Sequence, residues 1–280
     1  LMMPVPLAGA QTLPLLPAPG TLVTQSPTYV PPTIKGLTLH PQDPFLFDFI
    51  IHPGDDQLQG DALQEESMKM IKYFLASLTV PEDQMWVNLS PKERNRIVPE
   101  TFGQTEMGRD LLAQDYMLKQ LTASLMHPDT ELGAQFWERI YAQAEEKYGI
   151  TEIPAETFHK VWIVPDSASV YQNGNNVFVV DSKLKVLLED EYRVVHHSLR
   201  SGAASLGSRQ YVVGKSEALT TYDLLPTTLM KEIILPEIEK EVNTGKTFTN
   251  LRQIFHSMIL AVWYKKNLKQ SILSQTYADK

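Results

Sequence analysis

Between residues 33 and 52 the pattern of apolar positions is β-like in two short runs, which predicts strands. Thr33–His40 and Phe45–His52 are the two runs, and Pro41-Gln-Asp-Pro44 between them has turn chemistry at each position. Pro53-Gly54-Asp55-Asp56 closes the second run, so a β-hairpin is the economical arrangement. Phe45, Phe47 and Phe49 alternate against Leu46, Asp48 and Ile50, giving one face three aromatics that need covering.

The period then lengthens to that of a helix. Asp61–Leu78 places Leu63, Met70, Ile71, Phe74 and Leu78 on one side and Glu65, Glu66 and Lys69 opposite. Ser90-Pro91 with Glu93 has the pattern of a capping box. Thr105 is placed to cap a helix over Glu106–His127, which Pro128 ends. Asp129 or Thr130 caps the next, which runs through Tyr148 to a terminating Gly149. Its seam of Leu132, Phe136, Ile140, Ala144 and Tyr148 is flanked by Trp137 and Tyr141.

Strand character returns at Phe158–Val164, Ala168–Gln172 and Asn176–Val180. Asn173-Gly174 supplies a hairpin signal, and Lys183–Leu188 either extends the last strand or begins a short helix. Periodicity is lost from Val194 to Lys215, where serine and glycine predict a flexible loop. Two helical segments follow, Thr227–Asn243 and Thr249–Thr276. Gly245 ends the first, and Pro236 is placed to kink or split it. The predicted fold class is α+β: an N-terminal β-hairpin, a helical layer, an antiparallel β-meander and a C-terminal helical pair. Residues 34–195 form the core domain, 196–222 a flexible loop, and 223–280 helices packing on the core. No internal repeat of helical-repeat or propeller length is present.

Ahead of this region the pattern differs. Residues 1–10 end on Ala8-Gly9-Ala10, the small-x-small site a signal peptidase accepts, with Gln11 as the first mature residue. This predicts an exported protein whose charged n-region lies upstream of Leu1. Residues 11–33 carry six prolines and read as a linker, yet Leu13, Leu15, Leu16, Leu22, Val23, Tyr29 and Val30 are too apolar for a free tether. Part of it should lie along a folded surface, with Thr21–Gln25 as a candidate edge strand.

Composition narrows the function classes. With 25 basic against 33 acidic residues the net charge is −8, which disfavours nucleic acid and anionic lipid as partners. No apolar run approaches the roughly 20 residues needed to span a bilayer, and Met258–Trp263 is far too short. The chain has no cysteine, so disulfides, thiolate metal sites and cysteine nucleophiles are excluded.

Candidate chemistry is sparse. The stripe Met107, Leu111, Leu118, Leu121, Leu125 leaves Gln114 and Asp115 facing inward, and a carboxylate beside an apolar seam must be paired, hydrogen-bonded or protonated. Asp115 is therefore either an acid/base or metal-ligating group, beside Glu106 or Asp110, or an anchor meeting Arg109, Lys119 or a loop amide. His196 and His197 are adjacent, so they share one metal only in an irregular loop, where Glu189, Asp190 and Glu191 could add oxygens. Ala203-Ala-Ser205-Leu-Gly207 approximates a nucleophile elbow but lacks a preceding strand. Gly202-x4-Gly207-Ser208 has P-loop glycine spacing without the lysine. No dinucleotide-binding glycine motif occurs, and no cofactor is predicted.

Several longer blocks carry a resemblance. Phe102-Gly-Gln-Thr-Glu-Met-Gly-Arg-Asp-Leu-Leu-Ala-Gln-Asp-Tyr116 and Leu118–Leu125 look like the signature of an uncharacterised family of exported bacterial proteins. Lys72–Leu78, Trp86–Pro91, Lys160–Asp166 and Leu251–Tyr264 resemble it too. The resemblance implies a signal peptide and a chain continuing past Lys280; it implies no activity or site residue. The function expected is a non-enzymatic interaction or scaffold module of a longer exported chain, its partner a protein. The alternative is a carboxylate- or metal-dependent hydrolase.

Overall fold

The computed structural model describes residues 16–43, 45–79, 103–149, 161–189, 191 and 221–278, with backbone alone at 147–148, 221–224 and 269–278. The architecture is α+β. Strands β1 (Thr33–Leu39) and β2 (Phe47–His52) form the N-terminal hairpin, followed by α1 (Gly60–Thr79), α2 (Glu106–Leu125) and α3 (Glu131–Tyr148). Strands β3 (Val161–Asn173) and β4 (Asn176–Leu188) make a second hairpin. Then come α4 (Thr221–Leu229), a π-helical segment Met230–Ile234, α5 (Leu235–Thr244), a 3₁₀ turn Lys246–Phe248 and α6 (Thr249–Ala278). The sheet is antiparallel throughout, in the order β2-β1-β4-β3.

The helix signals correspond to physical caps. The Thr105 hydroxyl accepts from Gly108 N at 3.0 Å, and the Thr130 hydroxyl accepts from Gly133 N at 3.0 Å. Gly149 closes α3 in the left-handed region at φ 63°, where only glycine fits without strain. Two of the three expected aromatics are covered. Phe47 meets Phe74 at 5.2 Å and Tyr264 at 5.0 Å, edge to face, and Phe49 meets Phe74 at 5.2 Å. Phe45 departs from the pattern: it precedes β2 and is 79% exposed.

The central region is simpler than a three-stranded meander. Phe158–Lys160 lie outside the described residues, and the expected break between Val164 and Ala168 does not exist. The register steps from Pro165↔Leu184 to Ser167↔Lys183, so Asp166 is absorbed as a bulge and β3 runs on. Lys183–Leu188 extends β4, and Gly174 at φ 58° supplies the positive backbone angle for the tight turn. The helical expectation at Ser90-Pro91 and the loop at 194–215 lie outside the described residues.

The expected interruption at Pro236 takes the form of a π-helical segment, Met230–Ile234, that divides the run ahead of the proline. Pro236 sits in the first turn of α5, directly after the π-helical segment, where Leu235 N reaches back five residues to Met230 O. The wider turn gives the Glu232 carbonyl the room that a proline ring removes from a regular α-helix.

Long helix α6 packs along α1 and beneath β1 and β4, and its Leu260 and Ala261 are fully buried in the main core. Residues 16–32 lie against the folded body. Tyr116 donates to Pro17 O at 2.6 Å, and Val23 N donates to Ser124 Oγ at 2.7 Å. No strand forms at Thr21–Gln25; among the described residues this strap bridges at Thr28 with Gly245.

Candidate functional site

Strands β1 and β4 run together over three pairs only, Gly36↔Phe178, Leu37↔Val177 and Thr38↔Asn176. Each then bulges. On β1 the register steps from Gly36↔Ile50 to Ile34↔Ile51, leaving Lys35 as the extra residue. On β4 it steps from Val179↔Val170 to Asp181↔Ser169, leaving Val180 extra. Bulges bend the strands that carry them. These two flank the last shared pair, so the hairpins part, and a cleft of about 1120 Å³ opens between them.

Two helices fill the floor of the split, each with a polar pair four residues apart on an otherwise apolar face. From α5, Asn243 holds the edge of β4 as a neighbouring strand would. Its Oδ1 accepts from Leu184 N at 2.9 Å and its Nδ2 donates to Leu184 O at 2.8 Å. Glu239 accepts from Val186 N at 3.3 Å and pairs with Lys183 at 3.1 Å, which raises the lysine's pKa.

From α6 come Arg252 and His256. The Arg252 guanidinium donates to three backbone carbonyls, Val242 O (3.0 Å), Gly245 O (2.6 Å) and Tyr29 O (2.9 Å). It thereby closes the C-terminus of α5 and ties down the strap. Its burial pushes its pKa down to about 10, against the opposing pull of Glu241. Glu241 is buried and holds Ser26 through both its amide (2.9 Å) and its hydroxyl.

His256 is a wedge between the parted strands. Its Nε2 meets Ser182 Oγ of β4 at 3.0 Å, while its Nδ1 is buried without a hydrogen bond. The Ile34 backbone of β1 lies close enough to favour the protonated ring without meeting it in hydrogen-bond geometry. Burial outweighs that effect, and the charges of Lys35 and Arg252 add to it, pushing the ring's pKa down to about 4. The imidazole is therefore neutral at pH 7.

Charge distinguishes the cleft from the rest of the chain. Lys35, Lys183, Lys185, Lys231, Lys240 and Arg252 line it, against Asp181, Glu191 and Glu239. Among the described residues, six cations over three carboxylates leave an excess of three positive charges, in a chain of net −8. Two of the three carboxylates are engaged, Glu239 with Lys183 and Glu191 with Lys231 at 2.8 Å. The ammonium groups of Lys35 and Lys240 have no hydrogen bond or ion pair among the described residues.

The candidates singled out in the sequence lie elsewhere. Asp115 is buried on α2 with its Oδ2 2.5 Å from Lys119 Nζ, and Glu106 pairs with Lys72 at 2.8 Å. Nine residues apart on one helix, they are separated by about 13 Å along its axis, and neither lines the cleft. Asp110 hydrogen-bonds the buried Tyr73 hydroxyl; desolvation raises both pKa values. His196, His197, Ser205 and Gly207 lie outside the described residues. Among the described residues no three His, Asp or Glu side chains gather closely enough to hold a metal ion, and no helix is long and apolar enough to cross a membrane. No family model, curated protein or solved structure matches this chain.

Proposed function

We propose that the chain is a non-catalytic interaction module of a longer exported protein, and that it holds its ligand in the split between the two hairpins. The observation that carries this reading is the excess of positive charge in a large open cleft of an otherwise acidic chain. A field of this kind gathers and orients a negatively charged partner. Export is supported by the Ala8-Gly9-Ala10 site, and the resemblance to an exported bacterial family belongs to the same proposal.

Hydrolysis is the second reading, and the Ser182–His256 hydrogen bond is the feature that favours it. A serine nucleophile requires its histidine to accept a proton, and a carboxylate on the other ring nitrogen stabilises the resulting cation. Here Nδ1 has no hydrogen-bond partner, and Lys35 and Arg252 oppose the cation. The geometry therefore favours binding over turnover.

The test pairs two screens on one preparation. Thermal-shift measurements with acidic, neutral and basic ligands should find stabilisation, while ester, phosphoester and glycoside substrates should remain intact. Turnover that disappears in Ser182→Ala or Asp115→Asn would overturn the non-catalytic reading. Mass spectrometry of protein from the full-length gene should place Gln11 at the mature N-terminus, and an uncleaved cytoplasmic precursor would remove export.

A further inference from the structure

We infer that the ligand of this cleft is an acidic, extended polypeptide segment, lying along the parted edges of β1 and β4 with its carboxylates directed to Lys35 and Lys240. The inference rests on the binding-module reading above and names the ligand class for that site.

Three observations point to a chain rather than a compact anion. The first is the kind of cation. Planar, bidentate recognition of phosphate calls for a free guanidinium, and the only arginine lining the cleft among the described residues has its guanidinium committed to three backbone carbonyls. What remains are lysines, which act as point charges.

The second is their placement. Lys35 is on β1, Lys183 and Lys185 on β4, Lys231 on the π-helical segment and Lys240 on α5. Lysines carried on two strands, the π-helical segment and α5 can meet carboxylates spaced along an extended backbone. At about 3.3 Å per residue, β4 from Val180 to Val186 runs about 20 Å along the cleft, its main-chain edge open at Val180–Ser182 and taken by Asn243 and Glu239 beyond.

The third is the unfinished ladder. β1 and β4 do not pair beyond Gly36↔Phe178. Leu184 and Val186 are occupied by Asn243 and Glu239, whereas Thr33–Lys35 and Val180–Ser182 border the cleft with no partner strand between them. A segment bound there gains main-chain contacts from strand edges, and side-chain charge supplies its specificity. Val180, 59% exposed, adds apolar surface for the residues between the carboxylates.

Isothermal titration calorimetry tests this with four probes: an octapeptide alternating Glu and Thr, its Gln-Thr and Lys-Thr counterparts, and inorganic phosphate. The Glu-Thr peptide should bind with a Kd below about 1 mM at low salt, and more tightly than either counterpart. Its Kd should rise at least about tenfold in the double variant Lys35→Glu/Lys240→Glu, and should rise with salt. The milder Lys35→Gln/Lys240→Gln pair should weaken it in the same direction should the charge reversal disturb folding. Arg139→Glu on α3, a single charge reversal at a residue that does not line the cleft, should leave it unchanged. Preferential binding of the Gln-Thr or Lys-Thr peptide, or displacement of Glu-Thr by millimolar phosphate, overturns the acidic-segment assignment while leaving a binding module in place. Failure of all four probes to bind overturns both.

Discussion

His256 should make the protein acid-labile in a measurable window. Its pKa in the folded chain is about 4, against an ordinary value of 6.5 that the unfolded chain restores. A histidine depressed by folding binds fewer protons in the native state. Its contribution is intact above pH 6.5, declines as the pH falls towards 4, and changes no further below that. The difference of about 2.5 units corresponds to roughly 3 kcal/mol in full, and to about 2 kcal/mol between about pH 7.5 and pH 5. Asp110 titrates in the opposite sense, because burial raises its pKa, so acidification relieves part of its cost. Comparison of wild type with His256→Gln removes that background. The Gln side chain does not titrate and can keep the contact to Ser182 Oγ. Urea denaturation at the two pH values should give a loss of stability in wild type about 2 kcal/mol larger than in His256→Gln. Equal losses in the two proteins would refute the buried neutral wedge.

Two further perturbations probe the framework around the site. Asp115→Ala should destabilise by about 1 kcal/mol, at the low end for a buried acceptor, because Lys119 is 40% exposed and can rehydrate; a gain in urea stability would return Asp115 to the list of functional carboxylates. Gly245 has an ordinary φ of −78°, but a Cβ there would lie 2.2 Å from the Glu241 carboxyl group, which is buried and holds Ser26. Gly245→Ala should therefore cost about 1–3 kcal/mol in thermal or urea unfolding and release the Ser26 amide to hydrogen exchange, and an unchanged stability would contradict the account of the strap.

The parts of this fold that were legible in the sequence are those fixed by neighbours along the chain. The caps at Thr105 and Thr130, the left-handed Gly149 and the turn at Gly174 each depend on one residue type within four positions of its partner. The cleft depends on partners far apart. β1 meets β4 across about 140 residues of chain, and Ser182 meets His256 across 74. Neither bulge has a sequence signature: Lys35 and Val180 read as ordinary strand residues, and only the pairing partners show that each is extra. One signal was available. Glu239 and Asn243 interrupt the apolar face of Leu235, Ile238 and Val242, and Arg252 and His256 do the same beside Leu251 and Phe255. A polar pair at i and i+4 within an apolar face marks side chains that must be satisfied by another element. Asp115 was found by that logic on α2, where Lys119 of the same helix meets the need.

Hydrogen–deuterium exchange with the alternating Glu-Thr octapeptide tests the split between the hairpins as the binding site most directly. Amides of residues 33–36 and 179–183 should slow on addition of the peptide, and those around Asp115 on α2 should not change. Protection confined to other elements, or peptide bound with no protection along β1 and β4, would contradict it.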